Sequence, residues 1–204
     1  MLDDLVASVF PGACPCGARG EPLCGPCRTT LRAAPDAPPP AGIEWWVAPF
    51  AYEGVARELV ARAKYRNARA AIAWLADAIV DLCRARCALD VVTWVPASRA
   101  RRRSQGVDHG AVLGRAVARR LGVPSHRLLV RAAGAPQTGA SLAVRRRGPD
   151  VRAIRAIAAQ TVLVVDDVAT TGASLTAAAR VLRGAGVQRV VAATATRTPR
   201  LGRP

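Results

Sequence analysis

The chain has 204 residues, 51% of them apolar, and a formal charge of +16 from 30 basic and 14 acidic side chains. That length holds one full domain and a small appendage, and the apolar content excludes a chain that stays disordered for want of a core. No apolar run approaches the roughly 18 residues of a membrane span, and Asp3 and Asp4 stand where a secretory leader carries basic residues, so a cytoplasmic protein with no membrane span is expected.

Cys14, Cys16, Cys24 and Cys27 form two knuckles, Cys14-Pro-Cys16-Gly and Cys24-Gly-Pro-Cys27, whose Gly and Pro favour tight turns. The spacing can bring four thiolates round one tetrahedral zinc; free or redox-active thiols are the alternative. A module over residues 1–34 has too few apolar side chains to fold without a metal. Residues 35–42, with Pro35, Pro38, Pro39 and Pro40, read as a stiff linker, and the main domain is expected over 43–204.

Residues 46–52 read as a strand, and 54–64 and 68–83 as helices. In the second helix Ile72, Leu75, Ala76, Ile79 and Cys83 recur on one face, which makes Cys83 a core residue. From Val91 strand and helix alternate: strand 91–95, helix 107–121, strand 128–131, a long irregular stretch, strand 161–166, helix 174–184 and strand 189–194. Such alternation predicts an α/β fold with a parallel sheet and helices on both faces. The tail from Arg197 onward reads as frayed. The four tryptophans are expected in the core, although Trp45 and Trp46, being adjacent on a strand, must face opposite ways. His109 and His126 read as surface or capping residues.

The most informative stretch is Thr161-Val-Leu-Val-Val-Asp166-Asp167-Val-Ala-Thr170-Thr171-Gly172-Ala173-Ser174. A β-branched run forms the buried centre of a parallel sheet, and an acid pair arrives where that strand is expected to end, the edge at which open α/β sheets bind ligands. The small and hydroxyl-bearing residues that follow open a helix, whose free N–H groups suit a phosphate. Carboxylates beside a phosphate cradle suit the vicinal hydroxyls of a sugar, so a ribose 5-phosphate fits both halves. A receiver domain also opens on such an acid pair, but it needs a further Asp, and no Asp or Glu follows Asp167. A buried strand running into an ordinary capped helix is the other alternative.

An enzyme that breaks the C1 bond of such a sugar phosphate must also hold an anionic leaving group, such as a diphosphate, and exclude water. The Arg-rich loop after the strand at 91–95, with Ser98 and Arg99, and the long loop carrying Arg145 are candidates, as is Lys64, the sole lysine beside 29 arginines. Either arginine run could instead be a solvated face.

The stretch resembles the phosphoribosyl-diphosphate (PRPP) signature of type I phosphoribosyltransferases: four apolar residues, two acids, two variable residues, then Thr-Thr-Gly-Ala-Ser. The resemblance implies that Asp166 and Asp167 are catalytic and hold the ribose hydroxyls, and that Thr170, Thr171, Gly172, Ala173 and Ser174 hold the 5-phosphate. The order of segments is similar to that of the competence protein F (ComF) family. These are the cysteine knuckle, Lys64-Tyr65-Arg66, Val95-Pro96 before the Arg-rich loop, Gln137-Thr138-Gly139 ahead of Arg145-Arg146-Arg147, and the signature. Where that family usually has Gly-Phe-Asn-Gln this chain reads Gly106-Val107-Asp108-His109, and its knuckle is shortened. The resemblance implies PRPP with magnesium as ligand, structural zinc, and a role in handling DNA taken up by the cell, with partners in a DNA-uptake apparatus. The alternative is a non-catalytic PRPP sensor that binds single-stranded DNA through the basic loops and the knuckle.

Overall fold

The computed structural model describes residues 14–65, 69–86, 88–97, 107–131, 150–157 and 159–199. In chain order they form α1 (Gly25–Thr29), β1 (Trp46–Val47), β2 (Phe50–Ala51), α2 (Gly54–Tyr65), α3 (Arg69–Cys83), β3 (Val91–Trp94), α4 (His109–Leu121), β4 (Leu129–Arg131), β5 (Val151–Ala153), β6 (Thr161–Ala169), α5 (Ala173–Gly184) and β7 (Arg189–Arg197).

Val162, Leu163, Val164 and Val165 are wholly buried, as the β-branched run requires, and β6 takes the interior of the sheet between β3 and β7. All pairings within this sheet are parallel. The expected edge strand is in two pieces: Trp46 pairs with Ala192 and Phe50 with Thr196, one register interrupted at Ala48 and Pro49. A proline has no N–H for the ladder, which accounts for the break.

The sheet separates two apolar layers. Leu163, Val165, Val191 and Ala193 face α2, α3 and α4, whereas Val162, Val164, Val190 and Ala192 face α5. Helices on both faces are therefore observed, as expected. Burying each large aliphatic side chain in these layers contributes roughly 1.5–3 kcal/mol. Cys83 lies in the first layer, and Trp45 and Trp46 pack on opposite layers. The approach of α4 to β3 depends on Gly114, where a Cβ would stand 3.1 Å from the Trp94 ring.

Three expectations need correction. The chain does not fray at Arg197, which is buried as the last residue of β7 and pairs with both Ala51 and Ala169. The segment at Leu129–Arg131 does not join the parallel series; it pairs antiparallel with β5, Leu129 opposite Ala153, in a separate two-stranded sheet beside the α5 layer. The strand carrying the acid pair does not end at Asp166 but pairs with β7 as far as Ala169, because Thr194 and Thr196 extend β7 by β-branched residues.

The cysteine-bearing segment is tied to the same sheet. Cys14, Leu23 and Cys27 pack against Val55 and Trp74, Ala33 bridges Phe50, and the Ala51 N–H donates to the Arg32 carbonyl at 2.9 Å. Among the described residues no helix is long and apolar enough to cross a membrane.

Candidate functional site

The carboxyl ends of β3, β6 and β7 lie on one edge of the sheet, because all three are parallel. Asp166 pairs with Thr194, and the ladder then skips Asp167 before resuming at Val168. Side-chain alternation changes phase at this point: Leu163, Val165 and Val168 all pack toward the layer of α2, α3 and α4. Asp167 faces that layer too, since Lys64 Nζ at the end of α2 lies 3.0 Å from Asp167 Oδ2. The carboxylate of Asp166 accepts from the Asp167 N–H at 2.9 Å, while the Thr196 hydroxyl donates to the Asp167 carbonyl at 3.2 Å. The acid pair thus occupies an irregular row inside the strand, two residues short of its end.

Directly beyond, the chain turns at Gly172, the N-cap of α5, with φ +75° and no side-chain cap on the helix. A left-handed turn of this kind favours glycine. Its position is also covered: a Cβ there would stand 2.8 Å from the Pro40 ring, so the Pro-rich segment lies across the turn. Thr170 and Thr171 are exposed, Ala173 and Ser174 half-buried, and the Thr171 hydroxyl accepts from the Ala173 N–H at 3.3 Å. Small side chains, hydroxyls and a helix N-terminus without a side-chain cap meet at one point, the features an anion cradle needs, and Asp166 and Asp167 stand a few residues upstream on β6.

Lys64, expected as a diphosphate contact, is seen on Asp167; its ammonium has three donors, so it can hold the carboxylate and still meet an anion. The other diphosphate candidates Ser98, Arg99 and Arg145 lie outside the described residues, as do Arg66 and the Gln137-Thr138-Gly139 loop.

His109 corrects the surface reading. Asp108, not His109, caps α4, its Oδ1 accepting from the Ala111 N–H at 3.3 Å. The His109 ring is buried, 8% exposed, with both nitrogens lacking a hydrogen-bond partner. It shares a cavity of about 10 Å³ with Lys64, Asp167 and apolar side chains of α2, α3 and α4. Burial holds the imidazole below its ordinary value; Asp167 opposes this, Lys64 reinforces it, and Asp108 and the Ala63 carbonyl oppose it. Nothing in the local pattern distinguished this histidine, because its burial depends on α2 crossing the start of α4. His126 is exposed, as expected.

At the other end of the molecule, the Sγ atoms of Cys14, Cys16, Cys24 and Cys27 all lie within 4.8 Å of one another. Cys14 and Cys16 each stand 3.5 Å from Cys24, close to the roughly 3.8 Å between thiolates in a tetrahedron with metal–sulfur bonds of about 2.3 Å. Burial resists ionisation of Cys14, but the N–H groups of Cys24 and Cys16 and the thiols of Cys27 and Cys24 bring it down to about 6. Cys27 is pushed up to about 12, first by its hydrogen bond with Cys14 and then by burial. One thiolate shared among neighbouring thiols is the arrangement four converging ligands adopt without a cation, and the cluster can hold a metal ion.

Residues 107–203 match the family model for the phosphoribosyl transferase domain. A comparison with curated proteins gives no match. Among solved structures, the chain is similar to glutamine phosphoribosylpyrophosphate amidotransferase from B. subtilis at 22% identity and a TM-score of 0.45, over 63% of this chain and 26% of that one. It is similar to an adenine phosphoribosyltransferase at 16% identity and a TM-score of 0.42, over 66% and 72% of the two chains. For orotate phosphoribosyltransferase from Aeropyrum pernix the values are 23% and 0.37, over 67% and 61%. The chain thus spans 26% of the first of these proteins and 61% of the last.

Proposed function

We propose, from the phosphoribosyl transferase domain match over residues 107–203, that this chain binds magnesium–PRPP and transfers its phosphoribosyl group. The observation that supports the reading most directly is the continuity of one short segment: the acid pair on β6 leads within a few residues to the uncapped N-terminus of α5. In this reading Thr170, Thr171, Gly172, Ala173 and Ser174 take the 5-phosphate, and Asp166 and Asp167 accept from the ribose hydroxyls. The C1–O bond to the diphosphate breaks with its electron pair leaving on the diphosphate, and an acceptor nucleophile bonds to C1. The two carboxylates stabilise the positive charge that develops on the sugar. Magnesium arrives with the diphosphate as part of the substrate. Lys64, already at the acid pair, offers a cation to the leaving group, with Ser98, Arg99 and Arg145 as further contacts. The segment order favours a ComF-like protein and so a connection with DNA uptake.

In the same reading the four cysteines hold a structural zinc, which the convergence of their sulfurs suits. The bound ion would lock the knuckle that packs on Val55 and Trp74.

A second reading has an observation of its own. Arg84 and Arg86 in the turn after α3 and Arg115 and Arg119 on α4 are exposed, with Arg84 donating to the Arg120 carbonyl at 3.2 Å, and the chain carries +16 overall. A PRPP-sensing protein that binds single-stranded DNA would use such a face. Titration with magnesium–PRPP, followed by assay of diphosphate release with a panel of nucleobases, separates the two. Release with one acceptor supports the enzyme; binding without release, together with salt-sensitive DNA binding, supports the sensor; no PRPP binding contradicts both.

A further inference from the structure

The turn that opens α5 has two requirements that oppose each other. Gly172 has φ +75°, which favours glycine, yet glycine is also the residue with the most backbone freedom to lose when a ligand orders it. The second requirement is met from outside the turn: a Cβ on Gly172 would stand 2.8 Å from Pro40 Cγ and 3.2 Å from Pro40 Cβ, so the proline ring fills the place of the missing side chain. A proline brings a fixed φ and almost no side-chain freedom of its own to such a contact. The segment that carries it is fastened on both sides. Downstream, the Ile43 N–H donates to the Pro40 carbonyl at 3.0 Å, Gly42 turns with φ +81°, and Ile43 is buried in the α5 layer. Arg183 Nε, near the end of α5, donates to the Gly42 carbonyl at 3.0 Å, and a Cβ on Gly42 would stand 3.3 Å from Ala179 Cβ. Upstream, the Ala34 N–H donates to the Pro49 carbonyl at 3.2 Å and Ala33 bridges Phe50. Residues 35–42 thus cross from the sheet edge at β2 to α5, where Pro40 covers the opening turn and Gly42 lies against the later ones.

We propose that Pro40 is a positioning residue for the phosphate turn: its ring holds Gly172 in the left-handed conformation before a ligand arrives, so that the first N–H groups of α5 are already arranged for an anion. This rests on the reading of the turn as a ribose 5-phosphate site given above. The ordering of the glycine then falls on folding and not on binding, which strengthens the bound state. Pro38 and Pro39 are exposed and serve only to stiffen the approach to Pro40. The Pro-rich segment is in this account a wall of the site, not a spacer behind the cysteine knuckle. Because the contact is mutual, an anion that fixes the turn also fixes the segment lying on it.

The test uses the full chain as wild type, Pro40→Gly and Pro39→Gly, the last a control that loosens the same segment at an exposed ring. Backbone amide exchange at Gly172, Ala173 and Ser174 is followed without ligand, with the amides of Val162 to Val165 reporting global stability, and affinity for ribose 5-phosphate is measured by titration. Pro40→Gly is expected to speed exchange at the turn and to weaken ribose 5-phosphate binding, each about tenfold, the scale of ordering one residue's backbone during binding instead of before it. The β6 amides should exchange as in wild type, and Pro39→Gly should match wild type throughout. In the wild-type chain ribose 5-phosphate should slow exchange at Ala41 and Gly42. Turn amides that exchange alike in wild type and Pro40→Gly, a rise shared by the β6 amides or by Pro39→Gly, undiminished affinity in Pro40→Gly, or a bound ligand that leaves Ala41 and Gly42 unchanged overturns the proposal. If wild type binds no ribose 5-phosphate the ligand reading fails, and exchange in the free protein still decides whether Pro40 holds the turn.

Discussion

Lys64 Nζ lies 3.0 Å from Asp167 Oδ2, with the two side chains 17% and 20% exposed, so the only lysine of the chain anchors the end of α2 to the acid pair on β6. An ion pair this sheltered is costly to break on one side, since the remaining carboxylate stays half-buried and unpaired. Lys64→Met is expected to lose about 1–3 kcal/mol, below the full cost of a wholly buried pair because water still reaches both groups. Adding Asp167→Asn should restore part of the loss. Urea unfolding of the single and double variants checks this, and strictly additive losses would show that the pair contributes nothing.

Gly172 carries a left-handed turn under the Pro40 ring. Gly172→Ala is expected to cost about 1–2 kcal/mol from the backbone alone, and to push Pro40 away from the cradle. Gly184→Ala is the control, because nothing lies within 4 Å of its Cβ position and its φ is ordinary; it should be neutral or stabilising by up to about 1 kcal/mol. Equal melting temperatures for the two variants would remove the case for a constrained phosphate turn.

The cysteine cluster has a pH signature. Cys14, brought down to about 6, is already a thiolate at neutral pH, whereas Cys27, pushed up to about 12, must give up its proton to a metal. Zinc uptake by metal-stripped protein at neutral pH should therefore release protons, and affinity should fall as the pH drops below about 6 and Cys14 protonates as well. In the metal-free protein the depressed Cys14 value stabilises the fold above the unfolded value of 9.0, and that contribution is lost as the pH falls through about 6. Metal analysis and proton-release titration measure the first effect. Uptake without proton release would contradict four-thiolate ligation.

Asp90 Oδ2 accepts from the N–H groups of both Gln160 and Thr161 at 2.7 Å, fastening the start of β6 next to that of β3. Asp90→Ala should cost about 1–2 kcal/mol, and Asp90→Asn, which keeps an acceptor oxygen, clearly less. Equal losses in chemical denaturation would mean that charge, not the paired acceptor, matters there.

Much of this architecture was legible because the signals are local. An apolar run rich in β-branched residues at Val162 to Val165 marks a central strand, and the spacing of Ile72, Leu75, Ile79 and Cys83 names the buried face of α3. The misses are non-local. The ladder from Asp166 to Ala169 depends on Thr194 and Thr196 of the neighbouring strand, and β5 has three residues, too few for a period. The burial of His109 and the position of Pro40 over Gly172 depend on how distant segments cross, which no spacing encodes. In the site, residue types and order were readable; the change of side-chain phase at Asp167, and hence its pairing with Lys64, was not.

The most direct test of the central claim is thermal unfolding with and without magnesium–PRPP, on the native chain and on the Asp166→Asn/Asp167→Asn variant. Ligand at about 100 times its dissociation constant should stabilise the native chain by roughly 2.7 kcal/mol, a rise of roughly 5–10 °C for a domain of this size, and the variant should show none. No rise in either protein, or an equal rise in both, would contradict the assignment of the acid pair and the cradle behind it to a ribose phosphate.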